Sequence, residues 1–246
     1  MLHAPNITHT TLPNLRFFDF GGVCAYLEAF LSHMNAPLLE TLSVSFFNQL
    51  NFSVPHLRQF VTNAENIRSS RVQFLFYHKA VVVYMYSSMS TSRYNLFLRV
   101  GCDHLDWQVS SMAQIFKILN PLFSAVDLTL DYRNHTLSSE WHNQVDHTQW
   151  RKLLGSFKNV RTLRVHDNLV GEISRCLESD GKSASEILPE LKTLVCPIGS
   201  RDDKKFARFV HDREVAGLSI DLMEEVSPAG EYKYEFRTAA GMEHVS

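Results

Sequence analysis

Apolar residues recur along the chain in a short fixed pattern, Leu-x-x-Φ-x-Φ, where Φ is apolar and x is unrestricted. Four copies are close. They are Leu15, Phe18 and Phe20 in LPNLRFFDF; Leu39, Leu42 and Val44 in APLLETLSV; Val160, Leu163 and Val165 in FKNVRTLRV; and Leu191, Leu194 and Cys196 in LPELKTLVC. Alternation over the last two slots is the period of a β-strand with one buried face, and the leading residue marks where each strand starts. Looser copies fill the gaps: Ile67 with Val72 and Phe74, with Ser70 in an apolar slot; Leu96, Leu98 and Val100; Val126, Leu128 and Leu130; Leu218, Ile220 and Leu222. The leading positions 15, 39, 67, 96, 126, 160, 191 and 218 are separated by 24 to 34 residues.

Steps of that size hold one strand, one helix and two turns, the unit of leucine-rich repeats and of other α/β solenoids. The intervening segments carry helical periodicity. Val23, Tyr26, Leu27, Phe30, Leu31 and Met34 form one apolar stripe, after Gly21-Gly22 and before Pro37. Val109, Met112, Phe116 and Leu119 form a second, after Asp106 as a cap and before Asn120-Pro121. Trp150, Leu153, Leu154 and Phe157 make a third; Leu169, Val170, Ile173 and Leu177 a fourth; Phe206, Phe209 and Val210 a short last one. RVQFLFYHKAVVVYMYSS, residues 71–88, departs from this rhythm, with two β-rich runs around His78-Lys79 that read as a hairpin. The expectation is an α/β fold: an irregular leucine-rich-repeat solenoid with a mostly parallel curved sheet, each strand beside the next in chain order, outer helices, and a β-hairpin insertion near 72–86. It covers residues 1–226. Residues 227–246 lose the pattern and are expected to form a polar tail.

LPNLRFFDF, AYLEAFL, APLLETLSVSFFNQLNFSVPHLRQF, HLDWQVSSMAQIF and WRKLLGSFKNVRTLRV together resemble the leucine-rich-repeat region of F-box-type proteins of mushroom-forming fungi, over most of residues 12 to about 215. That resemblance implies a partner-binding module. In such proteins an N-terminal F-box recruits the Skp1 adaptor of a cullin-RING ubiquitin ligase, and the repeats hold the protein to be ubiquitinated. Here a repeat begins by Leu12, so Skp1 is expected as a partner only if an F-box lies upstream.

Composition narrows the alternatives. With 45% hydrophobic residues, 17 of them Phe, the chain can fill a sizeable core, and a net charge of −2 provides no general attraction to nucleic acid or anionic membranes. The longest apolar run, residues 80–86, is too short to span a bilayer, and no signal peptide is written. Cys24, Cys102, Cys176 and Cys196 are dispersed, without a C-x-x-C, as expected of an intracellular protein of the cytoplasm or nucleus. Nucleotide-binding, nucleophile-elbow and zinc-protease motifs are missing, so no catalytic residue, metal or cofactor is assigned.

Two clusters keep an enzymatic alternative open. His135, Glu140, His142, Asp146 and His147 carry donors of the kind that hold a divalent metal, although the spacing suits a polar loop with Asp146 or Thr148 capping a helix. Cys102 lies in CDHLDW beside possible bases, in a position that also suits a buried thiol at a strand end. RDDKKFAR, residues 201–208, mixes charge signs and reads as a solvated helix start. A third alternative is a non-functional remnant of an expanded gene family.

If the repeat slots point inward, the residues between them decorate the opposite face of the sheet: Phe17, Asp19, Thr41, Ser43, Ser45, Ser69, Arg71, Gln73, Phe97, Arg99, Thr129, Asp131, Thr162, Arg164 and His166. Aromatic and arginine side chains dominate protein interfaces. Phe17, Arg71, Phe97, Arg99, Asp131, Arg164 and His166 are therefore the candidate partner-binding residues, and an unidentified protein is the expected ligand.

Overall fold

A computed structural model describes residues 10–47, 49–87, 94–119, 123–133, 147–166, 169–177, 186–198 and 204–225. Its elements run β1 (Thr10–Thr11), β2 (Phe17–Gly22), α1 (Cys24–Leu31), β3 (Met34–Asn35), β4 (Thr41–Phe46), α2 (Pro55–Asn63), β5 (Arg71–Tyr77), β6 (Ala80–Tyr86), β7 (Tyr94–Gly101), α3 (Leu105–Leu119), β8 (Asp127–Tyr132), α4 (His147–Gly155), β9 (Thr162–Val165), α5 (Val170–Leu177), β10 (Thr193–Pro197), α6 (Lys204–Val215) and β11 (Asp221–Glu225). β1 pairs with β3. The other nine strands form one open sheet in the order β11-β10-β9-β8-β5-β6-β7-β4-β2. All its neighbours are parallel except β6, which runs antiparallel to both β5 and β7.

The second slot of the repeat explains how the sheet is held. Leu222, Leu194, Leu163, Leu128, Val72, Met85, Leu96, Leu42 and Phe18 stand level with one another across all nine strands. A parallel sheet has no turn to set its register, so register follows from which residues must be buried; a slip by one residue would turn every one of these side chains to the other face. Val165, Leu130, Phe74, Val83, Leu98 and Val44 form a second inner row and belong to the same core.

Onto this side pack all six described helices. Leu27 of α1, Leu57 and Phe60 of α2, Phe116 of α3, Trp150 of α4, Ile173 of α5 and Phe206 of α6 share one apolar cluster with the inner strand residues. At its centre Phe74 lies 5.1 Å from Phe116 and 5.9 Å from Phe157, and those two are 5.3 Å apart. Trp150 meets Phe76 edge-on at 5.3 Å. Among the described residues no helix is long and apolar enough to cross a membrane.

Successive units are also tied by polar contacts at helix starts. Neither Val23 nor Val54, the residues at the N-caps of α1 and α2, can cap with its own side chain. Gln49 instead accepts from the Cys24 backbone N–H at 3.0 Å. The Glu28 carboxylate, on α1, accepts from the N–H groups of His56 and Leu57 at 2.7 and 2.9 Å, placing negative charge at the positive end of α2. Gln108 of α3 donates to the carbonyls of Tyr77 and Cys102 at 2.8 and 2.9 Å and so clamps the ends of β5 and β7.

Several sequence expectations need correction. The strands do not lie in chain order: β4 neighbours β7, and β5 neighbours β8, so the three-strand block β5-β6-β7 is inserted in reverse. Leu96 is level with Leu42 rather than with the leading Leu39, and Leu222 rather than Ile220 is level with Leu194. α1 ends at Leu31, and Met34 joins β3, because this short sheet takes up the chain before Pro37. α2 is absent from the sequence reading, although Pro55 at its first turn and Leu57, Phe60 and Val61 at helical spacing signal it. Asp106 lies within α3 rather than at its N-cap; of the two caps considered for α4, Thr148 lies within the helix and Asp146 lies outside the described residues. The antiparallel pairing of 71–77 with 80–86 is as the sequence implies. Residues 227–246 lie outside the described part of the chain.

Candidate functional site

No described helix contributes to the apolar cluster on the sheet's other face. There the strands present a second set of rows, of which the longest reads Met223, Val195, Arg164, Thr129, Gln73, Tyr84, Phe97, Ser43 and Asp19. A neighbouring row contains Asp131, Leu75, Val82, Arg99, Ser45 and Gly21.

The middle of this face is aromatic. Leu75, Val82 and Tyr84 are buried, and Tyr77, Tyr86, Tyr94 and Phe97 pack around them as a second cluster separate from the main core. Tyr84 lies 5.3 Å from Phe97 and 5.4 Å from Tyr94, both edge-on, and Tyr94 lies 5.8 Å from Phe97. Edge-on geometry sets the positive rim of one ring against the negative face of the next, so the rings hold one another in place. Partial burial, and then the nearby Asp19 carboxylate, push the Tyr94 phenol above its ordinary pKa, so it stays neutral at physiological pH.

The seven sequence candidates occupy this face unequally. Phe97 belongs to the aromatic cluster, and Arg99 sits two residues along the same strand, level with Val82 on one side and Ser45 on the other. Arg99 is exposed and forms no ion pair among the described residues. Arg71 is level with Tyr86 and Asp127 at the cluster's margin. Asp131 is buried and accepts from Arg133 Nε at 2.5 Å, which commits its charge within the fold. Arg164 reaches Glu225 on the far strand at 2.6 Å. Both partners of that pair are well exposed, so it adds little stability. His166 follows β9, with its backbone N–H on the Leu130 carbonyl at 3.0 Å. Phe17 lies on the edge strand β2, outside the aromatic cluster.

Sequence reasoning overlooked Leu75, Tyr77, Val82, Tyr84, Tyr86 and Tyr94. The signal was present in VVVYMY: apolar residues at both parities mark a strand buried on both faces, whereas one-sided strands alternate.

The sites considered for catalysis fare differently. His135, Glu140, His142 and Asp146 lie outside the described residues; among the described ones no group of three or more His, Cys, Asp or Glu is placed to hold a metal. All four cysteines are buried, and desolvation followed by the Asp103 charge pushes the Cys102 thiol up to about 12 from 9.0. Its thiolate is thus scarcer at neutral pH by about a thousandfold than that of a free thiol. Iodoacetamide at pH 8 should leave Cys102 unmodified in the folded protein and alkylate it in guanidinium, as followed by intact-mass spectrometry; rapid labelling of folded protein would restore the thiol to candidacy as a nucleophile.

In the comparisons with known proteins, no family model, no curated protein and no solved structure matches the chain.

Proposed function

We propose that the protein is a recognition module that binds another protein on the face of its sheet opposite the described helices. Phe97 and Tyr94 supply the apolar floor, and Arg99 supplies the charge-directed contact beside it. The observation that supports this reading most is the second apolar cluster. Packing the helices accounts for one face of the sheet, whereas Tyr84, Tyr86, Tyr94 and Phe97 are a further aromatic investment on the other. An arginine next to a rigid aromatic surface is the combination that dominates protein-binding hot spots, and Arg99 has no described internal partner to give up on binding.

In its finer form the reading makes the strand-turn-helix units leucine-rich-repeat-like, their curved inner face holding a client for ubiquitination. This rests on the resemblance of HLDWQVSSMAQIF and FFNQLNFSVPHL to F-box-type repeat proteins, and it calls on Skp1 only through an F-box carried elsewhere in a longer product. The buried, protonated Cys102 weighs against thiol catalysis as the main activity.

A partner recovered by affinity purification should lose at least about tenfold in affinity, close to 1.4 kcal/mol, on Arg99→Glu. Lys117→Glu, an exposed change on α3, should leave it unchanged. Equal binding by wild type and Arg99→Glu in a titration would remove this face from the interaction.

A further inference from the structure

The two edges of the nine-stranded sheet are not protected alike. β11 carries Asp221, Glu224 and Glu225 among its five residues, the kind of charge that keeps an open edge from pairing. β2, with the sequence FFDFGG, has one charge, no Lys, no Pro and no described bulge.

Its backbone is presented for pairing. In a parallel ladder alternate residues bond to the same neighbour. The carbonyls of Arg16 and Gly22 accept from β4 and its flank, from Thr41 at 3.0 Å and Phe47 at 3.2 Å, which leaves the N–H and C=O groups of Phe17, Asp19 and Gly21 directed at the open edge.

Large apolar side chains flank that edge on both faces. On the face opposite the described helices Phe17 is 56% exposed and Phe47 54%. Phe47 reaches over the edge strand, its ring tip 3.4 Å from where a Cβ on Gly21 would stand. On the helical face Phe30 stacks on Phe18 of β2 at 5.9 Å and is still 51% exposed, and Tyr26, one turn away, is 73% exposed. At 100° per residue Tyr26 and Phe30 lie on the flank of α1 opposite Glu28, the residue that reaches α2, and so they face away from the helix layer.

We propose that β2 and α1 form a homodimer interface, in which the β2 strands of two copies pair antiparallel about a two-fold axis perpendicular to the sheet. That axis keeps both helix layers on the same side and brings α1 beside α1. Four aromatic side chains, each more than half exposed, leave about 450 Å² per copy, or about 900 Å² between two, which reaches the range of specific interfaces once the strand backbone is added. Charge favours this arrangement over the others. Pairing of two β11 edges sets acidic side chains against one another, while centring the β2 pair on Phe18 or Phe20 keeps the two Asp19 carboxylates apart. A two-fold contact also closes on itself, whereas β2 against β11 would propagate into filaments.

Sedimentation velocity over about 1 to 100 μM should show a monomer–dimer equilibrium. Asp19→Pro, which removes an edge-directed N–H without touching the ladder to β4, and Phe17→Lys should each weaken it at least about tenfold while far-UV circular dichroism is retained. Met223→Lys, an exposed change on the opposite edge strand, should not alter it. If Asp19→Pro loses the fold, Phe17→Lys decides. A monomer at every concentration, assembly that keeps growing beyond two copies, or equal weakening by Met223→Lys would each overturn the proposal.

Discussion

Arg213→Met is expected to lower the free energy of unfolding by about 3 kcal/mol, as a clear fall in the urea midpoint. Arg213 sits near the end of α6 and has no solvent exposure. Its Nη1 donates to the carbonyls of Ile187 and Leu188 at 3.3 and 3.2 Å, and Nη2 to those of Pro189 and Leu191 at 3.1 and 3.3 Å. Those four oxygens converge because Leu188 takes a left-handed backbone conformation, φ 53°, at a cost of about 1–2 kcal/mol for a branched residue. A planar fork with five N–H groups suits such a cluster of acceptors. Methionine fills much of the volume but removes the fork's N–H groups from these carbonyls in a dry site, and that desolvation is what the midpoint should register. The Leu188 carbonyl keeps a second donor in the Leu191 N–H at 3.0 Å. Lysine, a single compact ammonium, should recover only part of the loss. Burial lowers the Arg213 pKa below its ordinary value. A guanidinium nonetheless stays protonated through the neutral range, so stability from Arg213 should stay level there. An unfolding energy within 0.5 kcal/mol of wild type would show that the 187–191 turn holds without the fork.

Phe74→Ala should cost about 3–5 kcal/mol, the largest loss expected from any single truncation considered. Phe74 is fully buried on β5, the strand through which the reversed block joins the C-terminal half of the sheet. Its ring touches Phe76, Phe116 and Phe157, so alanine opens a void bounded by β5, α3 and the turn after α4, none of which can move in without breaking its own packing. Phe17→Ala removes the same atoms from an exposed edge and should change stability by less than about 0.5 kcal/mol. Comparing the two by chemical denaturation separates burial from residue type. If the two losses are similar, the cavity account of Phe74 fails.

Much of the architecture was legible in the sequence because it depends on local periodicity. Leu42, Leu163 and Leu194 were read as inward strand residues, and they stand in one row. The stripes at Val109 to Leu119 and at Trp150 to Phe157 were read as helices; the first lies in α3 and the second in α4, except for Phe157, which follows the helix. Of the candidate site, Phe97 and Arg99 were legible from alternation on a strand. Tyr84 was not, because it lies in the hairpin, where both faces are apolar and alternation carries no information about which face a residue serves. Nor was Tyr94, which alternation from Leu96 assigns to the inner face and which a register shift opposite Met85 and Tyr86 moves to the second cluster. Arg164 and Asp131 looked like binding residues by the same alternation, and only their distances to Glu225 and Arg133 assign their charges elsewhere.

By itself the sequence determined the α/β class, which residues of most strands are buried, and that residues 71–86 turn back as a hairpin, since each is set by neighbours within one or two turns of chain. Only the tertiary structure decided the order of the strands. β5 and β7 run in the same direction on either side of β6, so the block can enter the sheet either way round without changing any strand's direction or inner face. Pairing between residues far apart in the chain settles that choice, with Leu42 against Leu96 and Val72 against Leu128, and the same choice gathers Phe97 and Arg99 beside β4.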